Sequence, residues 1–232
     1  MGRHVLFATF AVLAIVPGWH PAAAMAEAGG DWVSYRDAYR AMVVFEKYGG
    51  PKSLLLQHLQ VLPSTPGLDA TGVQVMVLGK TSQGRFPLDA TLRTVFPLTR
   101  AAYDDNAVLQ LSRPLGPFTV RPQVSIALRP DNLYDSETLR HACQQALDYA
   151  RQLALFGSRH CAGVRFVFDK GSAAAPVTLR GAADMRLPAA PAAPFPGDVD
   201  AGFPVVTYRF TGTARVQLGT ASVPLAITPL FD

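Results

Sequence analysis

Residues 135–169 read DSETLRHACQQALDYARQLALFGSRHCAGVRFVFD, and this stretch decides the fold. Its first half has the period of a helix: Leu139, Cys143, Ala146, Leu147, Ala150 and Leu153 share one face, while Arg140, Gln144, Asp148 and Arg151 share the other. Asp135-Ser136 supplies a start and Gly157 a stop. Beyond the glycine the period becomes two. Val164, Phe166 and Phe168 alternate with Arg165 and Val167, which predicts a strand over Val164–Asp169. A one-faced helix feeding a strand buries its apolar side most simply on an antiparallel sheet, so the class read here is α+β, with a mostly antiparallel sheet packed by two helices.

The second of those helices lies upstream. Ser34 with Asp37 three positions later forms a capping-box arrangement, and Tyr35, Ala38, Tyr39, Met42 and Phe45 follow helical spacing until Gly49-Gly50-Pro51. Between the helices the alternation predicts strands at 53–62, 73–78, 93–98, 107–111, 118–121 and 124–128, parted by Pro- and Gly-containing turns. From Gly171 the composition shifts to Ala and Pro, culminating in Leu187-Pro188-Ala189-Ala190-Pro191-Ala192-Ala193-Pro194, which reads as an extended linker. Strands at 205–210, 214–218 and 223–227 follow. Some 30 residues hold no core alone, so Phe203–Asp232 is expected to dock on the main sheet or on a partner. The resulting organisation is a leader over 1–26, an α+β domain over 31–170, a linker over 171–202 and a C-terminal β segment over 203–232.

The leader has three parts: a basic start (Arg3, His4), an apolar run from Val5 to Val16, and the small residues Ala22-Ala23-Ala24-Met25-Ala26. A membrane anchor needs about 20 apolar residues, and Pro17-Gly18 ends this run too early. A periplasmic or secreted protein with a cleavable signal peptide is therefore expected. The formal net charge is only +4 and the arginines are scattered from Arg36 to Arg215, which argues against nucleic acid as a partner.

Cys143 and Cys161 are the only cysteines. In an oxidising compartment such a pair forms a disulfide. Geometry permits it: the helix carries the chain roughly 20 Å past Cys143, five extended residues return about 17 Å, and a disulfide spans about 5.5 Å between Cα atoms. His141 and His160 beside them suggest a zinc set, but side chains two apart on a helix point about 200° from each other and cannot meet on one ion. No metal or cofactor is expected. Gly79-Lys80-Thr81 resembles part of a phosphate-binding loop, yet Gln74 stands where the pattern needs glycine, and a hairpin turn is the better reading. Asp104-Asp105-Asn106 reads as the end of a helical turn rather than a cation site, and His58 as a half-buried strand residue. The aromatics Trp32, Tyr35, Tyr39, Phe45 and Tyr48 read as the seat of the first helix rather than a sugar platform.

The segment Arg85-Phe86-Pro87-Leu88-Asp89, Val95-Phe96-Pro97-Leu98 and Asn106-Ala107-Val108-Leu109 resembles exported proteobacterial proteins of a domain family without an assigned function, over roughly residues 34–130. That family carries cysteines this segment lacks, and the resemblance implies no activity. There is no G-x-S-x-G elbow and no H-E-x-x-H, and Glu27, Glu46 and Glu137 are too few for a paired-carboxylate site. The function expected is a non-enzymatic exported module that engages another envelope protein or cell-surface component, with Phe203–Asp232 making the contact. Two alternatives stand beside it. A hydrolase or metal-dependent enzyme would bring together two or more of His58, Asp89, Asp104, Asp105, His141 and His160 in a pocket. A glycan binder would line a groove with exposed aromatics such as Tyr35 or Tyr103.

Overall fold

The computed structural model describes residues 31–232 apart from 66, 156, 173–176, 182 and 213–214. The leader expected over residues 1–26 lies outside the described residues. The first half of the chain runs β1 (Trp32–Ser34), α1 (Tyr35–Glu46), β2 (Leu55–Pro63), β3 (Gln74–Leu78), β4 (Gln83–Pro87), β5 (Arg93–Thr94), α2 (Arg100–Asp104), β6 (Val108–Leu111) and β7 (Phe118–Ile126). The second runs β8 (Leu133–Asp135), α3 (Ser136–Gln152), β9 (Cys161–Val167), β10 (Val177–Arg180), β11 (Met185–Arg186), β12 (Ala189–Ala192), β13 (Phe203–Arg209), β14 (Gln217–Thr220) and β15 (Ala226–Phe231). The architecture is α+β with strands predominating, and the strand pairings among the described residues are antiparallel.

The two halves repeat one pattern of pairing. A four-stranded sheet ordered β1-β6-β3-β4 in the first half is matched by β8-β14-β10-β11 in the second. A seven-stranded sheet, β12-β13-β9-β15-β7-β2-β5, joins them: β13-β9-β15 corresponds to β5-β2-β7, and β15 meets β7 at Ile227 and Ile126. Each half opens with a three-residue strand whose last residue caps a helix. The Ser34 hydroxyl accepts the Asp37 N–H at 3.4 Å, and Asp135 Oδ1 accepts those of Glu137 at 2.9 Å and Thr138 at 3.2 Å. One core cluster gathers α1 residues Tyr35, Ala38 and Met42 with Leu59, Val75, Leu109 and Phe118; another gathers α3 residues Leu139, Ala142 and Ala146 with Val164, Phe166, Leu218 and Ile227. The seam is aromatic: Phe45 and Tyr48 each meet Tyr149 edge-on at 5.2 Å.

Several sequence expectations are corrected. The helix expected to run to Gly157 ends at Gln152, because the chain turns left-handed at Ala154 (φ 56°). Leu155 N–H then bonds Ala150 O at 3.1 Å and Ala154 N–H bonds Arg151 O at 2.9 Å, a Schellman closure with alanine in glycine's place. The strands expected at 118–121 and 124–128 are one, β7, which passes through Pro122. Proline is tolerated there because β15 joins β7 only at Ile126, leaving that side of the strand otherwise open. The strand expected over 93–98 pairs only at Arg93–Thr94. Beyond it Phe96 stacks on Tyr35 at 5.0 Å, while the Tyr35 hydroxyl donates to Pro97 O and accepts the Thr99 N–H at 2.9 Å.

The segment expected as a linker, 171–202, holds β10, β11 and β12. Pro191 sits on the outermost strand of the large sheet, where a missing N–H is not needed. Of the two places expected for Phe203–Asp232, the main sheet is the one it takes, and it is built into the fold rather than appended to it. Its β13 and β15 flank β9 in the large sheet, β14 belongs to the second four-stranded sheet, and Val206, Leu218 and Ile227 are wholly buried.

Candidate functional site

Cys143 and Cys161 are disulfide-bonded, with Cα atoms 5.9 Å apart, tying α3 to the start of β9. The neighbouring histidines do not join them: His141 and His160 are exposed, and among the described residues no group of three or more His, Cys, Asp or Glu is placed to hold a metal. Asp104 and Asp105 part company. Asp104 pairs with Arg100 at 3.0 Å, whereas Asp105 Oδ2 accepts Thr81 N–H at 2.7 Å, Thr81 Oγ1 at 2.8 Å and Ser82 N–H at 3.0 Å. The Thr81 bonds, with Ser82 adding to them, hold the Asp105 carboxyl below the usual carboxylate range. The amides of Thr81 and Ser82 therefore already grip an anion belonging to the chain, while Gly79 N–H bonds Ser82 O, and the turn closes a β3–β4 hairpin.

Two of the sequence candidates, His58 and Asp89, lie close enough for their charges to interact, but only Asp89 is bonded into the polar network around Arg93. Asp89 accepts from Thr91 N–H and Oγ1 at 2.8 and 2.7 Å and from Arg93 Nη2 at 2.8 Å; Arg93 Nη2 also donates to Leu225 O at 2.6 Å. The Arg93 guanidinium lies over the Phe195 ring at 4.8 Å. Alongside, Gln60 donates to Asp198 Oδ2 at 3.1 Å, and Arg121 donates to Gln60 Oε1 at 2.9 Å and Asp198 Oδ1 at 2.5 Å. Burial, and next the positive Arg93, push the His58 imidazole below its ordinary value, with Asp89 opposing. This network is no open catalytic pocket. Arg93 and Gln60 are buried, and the Asp89 carboxylate is occupied by Thr91 and Arg93. What it does is fasten residues 193–198 across the large sheet, aided by Arg165 Nη2 donating to Ala193 O at 2.7 Å.

The open surface is the outward face of the β1-β6-β3-β4 sheet. Val33, Val75, Val77 and Leu109 point into the core, so their neighbours in sequence point away. Register places Trp32 beside Gln110, Gln110 beside Met76, and Met76 beside Arg85, a straight row across four strands. A second row is Ser34, Val108, Leu78 and Gln83. Trp32 is 48 % exposed, a correction to its place among the helix-seating aromatics; Tyr35, in that same set, is wholly buried. A depression of about 230 Å³ borders Asp31 and Gln110 at one end of the face, and another of about 250 Å³ borders Met76, Leu78, Gln83 and Arg85 at the other. Tyr103 lines neither; its ring is taken up by Tyr39 at 5.0 Å and the Arg36 and Arg100 guanidinia at 5.3 and 5.7 Å.

No protein family, curated protein or solved structure matches this chain. The internal repeat supplies the comparison instead. Ser34 and Asp135 are the equivalent caps, so the row Trp32, Gln110, Met76, Arg85 corresponds to Leu133, Gly219, Thr178, Arg186 in the second half. The fold therefore tolerates small or ordinary residues along that row, and the aromatic, thioether and amide groups of the first half are not a structural requirement. One signal for the face was present in the sequence: Gln74, Met76 and Leu78 alternate with buried valines, and two of the three are large and apolar where water should favour polar residues. The rest of the face does not show in the sequence, because Trp32 reads as part of a helix seat and Arg85 lies outside every strand that alternation predicts.

Proposed function

We propose that this chain is an exported, non-enzymatic binding module that presents the outward face of the β1-β6-β3-β4 sheet to another component of the cell envelope. One observation carries the reading: the row Trp32, Gln110, Met76, Arg85, with Trp32 and Arg85 exposed and Gln110 and Met76 half-buried at the borders of two depressions, where the equivalent row of the other half is Leu, Gly, Thr and Arg. Export is supported by the leader in the sequence and by a disulfide between the two cysteines. Among the described residues no helix is long and apolar enough to cross a membrane.

Sedimentation of the mature chain, residues 27–232, with isolated cell-envelope material tests the proposal. The wild type and Thr178→Glu, altered on the equivalent row of the other half, are expected to pellet with the envelope. Trp32→Ala and Met76→Glu are expected to stay in the supernatant. Pelleting of Trp32→Ala at the wild-type level would remove this face from consideration.

A further inference from the structure

We infer that the row Trp32, Gln110, Met76 and Arg85 is a subsite for a linear glycan bearing carboxylates, an inference that rests on the reading of this face as the ligand surface. A pyranose ring has an apolar C–H face and a rim of hydroxyls that both donate and accept. The exposed indole of Trp32 suits the first. The amides of Gln110, Gln74 and Gln83 suit the second, since each carries two donors and an acceptor. Those side-chain amides make no hydrogen bond within the described residues, so their capacity is available to a ligand.

Charge narrows the class. The outward residues of the four strands are Trp32, Ser34, Gln74, Met76, Leu78, Gln83, Arg85, Pro87, Val108 and Gln110: one cation and no acid. Arg85 has no ion pair among the described residues, while nine other basic side chains form one. An unpaired guanidinium at the end of a polar row recognises a carboxylate by its planar fork. Asp31 borders the depression at the opposite end, which sets the acidic group of the ligand over Arg85. Neighbouring strands lie roughly 4.8 Å apart, so four strands offer a flat track roughly 14 Å long, enough for a few sugar units of an extended chain. A single cation is too little for nucleic acid. A protein strand adding to the edge of β4 would bypass Trp32 on β1, and one adding to the edge of β1 would bypass Arg85 on β4.

Affinity electrophoresis of the mature chain through gels containing polygalacturonate or neutral hydroxyethylcellulose reads the inference directly. Polygalacturonate is expected to retard the wild type. Trp32→Ala should weaken retardation about tenfold without altering charge, the size of one lost stacking contact. Gln110→Ala is a second, non-aromatic probe expected to act in the same direction. Arg85→Gln should lower the preference for polygalacturonate over hydroxyethylcellulose about fivefold, as one exposed charge-assisted contact does. Equal retardation of wild type and Trp32→Ala would reduce the effect to bulk charge attraction and overturn the inference. So would no retardation by either polysaccharide; if envelope sedimentation then remained sensitive to Trp32→Ala and to prior protease treatment of the envelope, the face would stand as a protein-binding surface and only the glycan would fall.

Discussion

Asp89 and Arg93 show how much one buried charge depends on its partner. The Arg93 side chain is 2 % exposed and its principal counter-charge is Asp89. Asp89→Ala leaves a guanidinium in the interior without its principal counter-charge, and chemical denaturation is expected to show a loss of about 3 kcal/mol. His58 nearby gives the fold a pH dependence. Its imidazole pKa is lowered from 6.5 by burial and then by Arg93. The unfolded chain therefore takes up a proton that the native state resists: the contribution is whole above about pH 6.5 and is lost as pH falls through the depressed native value. His58→Gln should flatten that part of the stability profile between pH 7.5 and pH 5, measured by urea denaturation. This network was not legible in the sequence, because Gln60, Arg121 and Asp198 are far apart in the chain and meet only through strand register and a crossing loop.

At the scale of elements the disulfide and the helix ends are the sensitive points. Reduction of Cys143–Cys161 releases a loop with a sequence separation of 18 and is expected to lower stability by about 3 kcal/mol, read from denaturation with and without reductant. Ala154→Gly removes the left-handed penalty at the end of α3 and should raise stability by about 1 kcal/mol, checked by the shift in urea midpoint. Helix starts were legible because capping chemistry is local: Ser34 and Asp135 cap where the sequence placed them. Strands lacking their own alternation were not. Gln83–Pro87 contains a glycine and a proline and is a strand only because β3 lies beside it, and Ala189–Ala192 is one only because β13 does. The face proposed for binding shares this limit, since Trp32 and Arg85 both stand on strands defined by their neighbours.

The whole molecule is two turns of one connectivity, and that too escaped the sequence. The halves share cap positions and order of pairing but few residues: Ser34-Tyr35-Arg36-Asp37 stands opposite Asp135-Ser136-Glu137-Thr138. Residues 203–232 complete the second half, so removing them takes away two strands of the large sheet and the core residues Val206, Leu218 and Ile227. The truncated chain is expected to lose cooperative thermal unfolding by circular dichroism, where a merely appended segment would leave the transition in place. The chain passes from one half to the other a single time, through Arg129-Pro130-Asp131, with Pro130 and Asp131 at the surface. Because Phe45, Tyr48 and Leu55 share a cluster with the second half, and Asp198 reaches back to Arg121, a clip at that crossing would sever the backbone yet leave two interlocked pieces that migrate together until denatured.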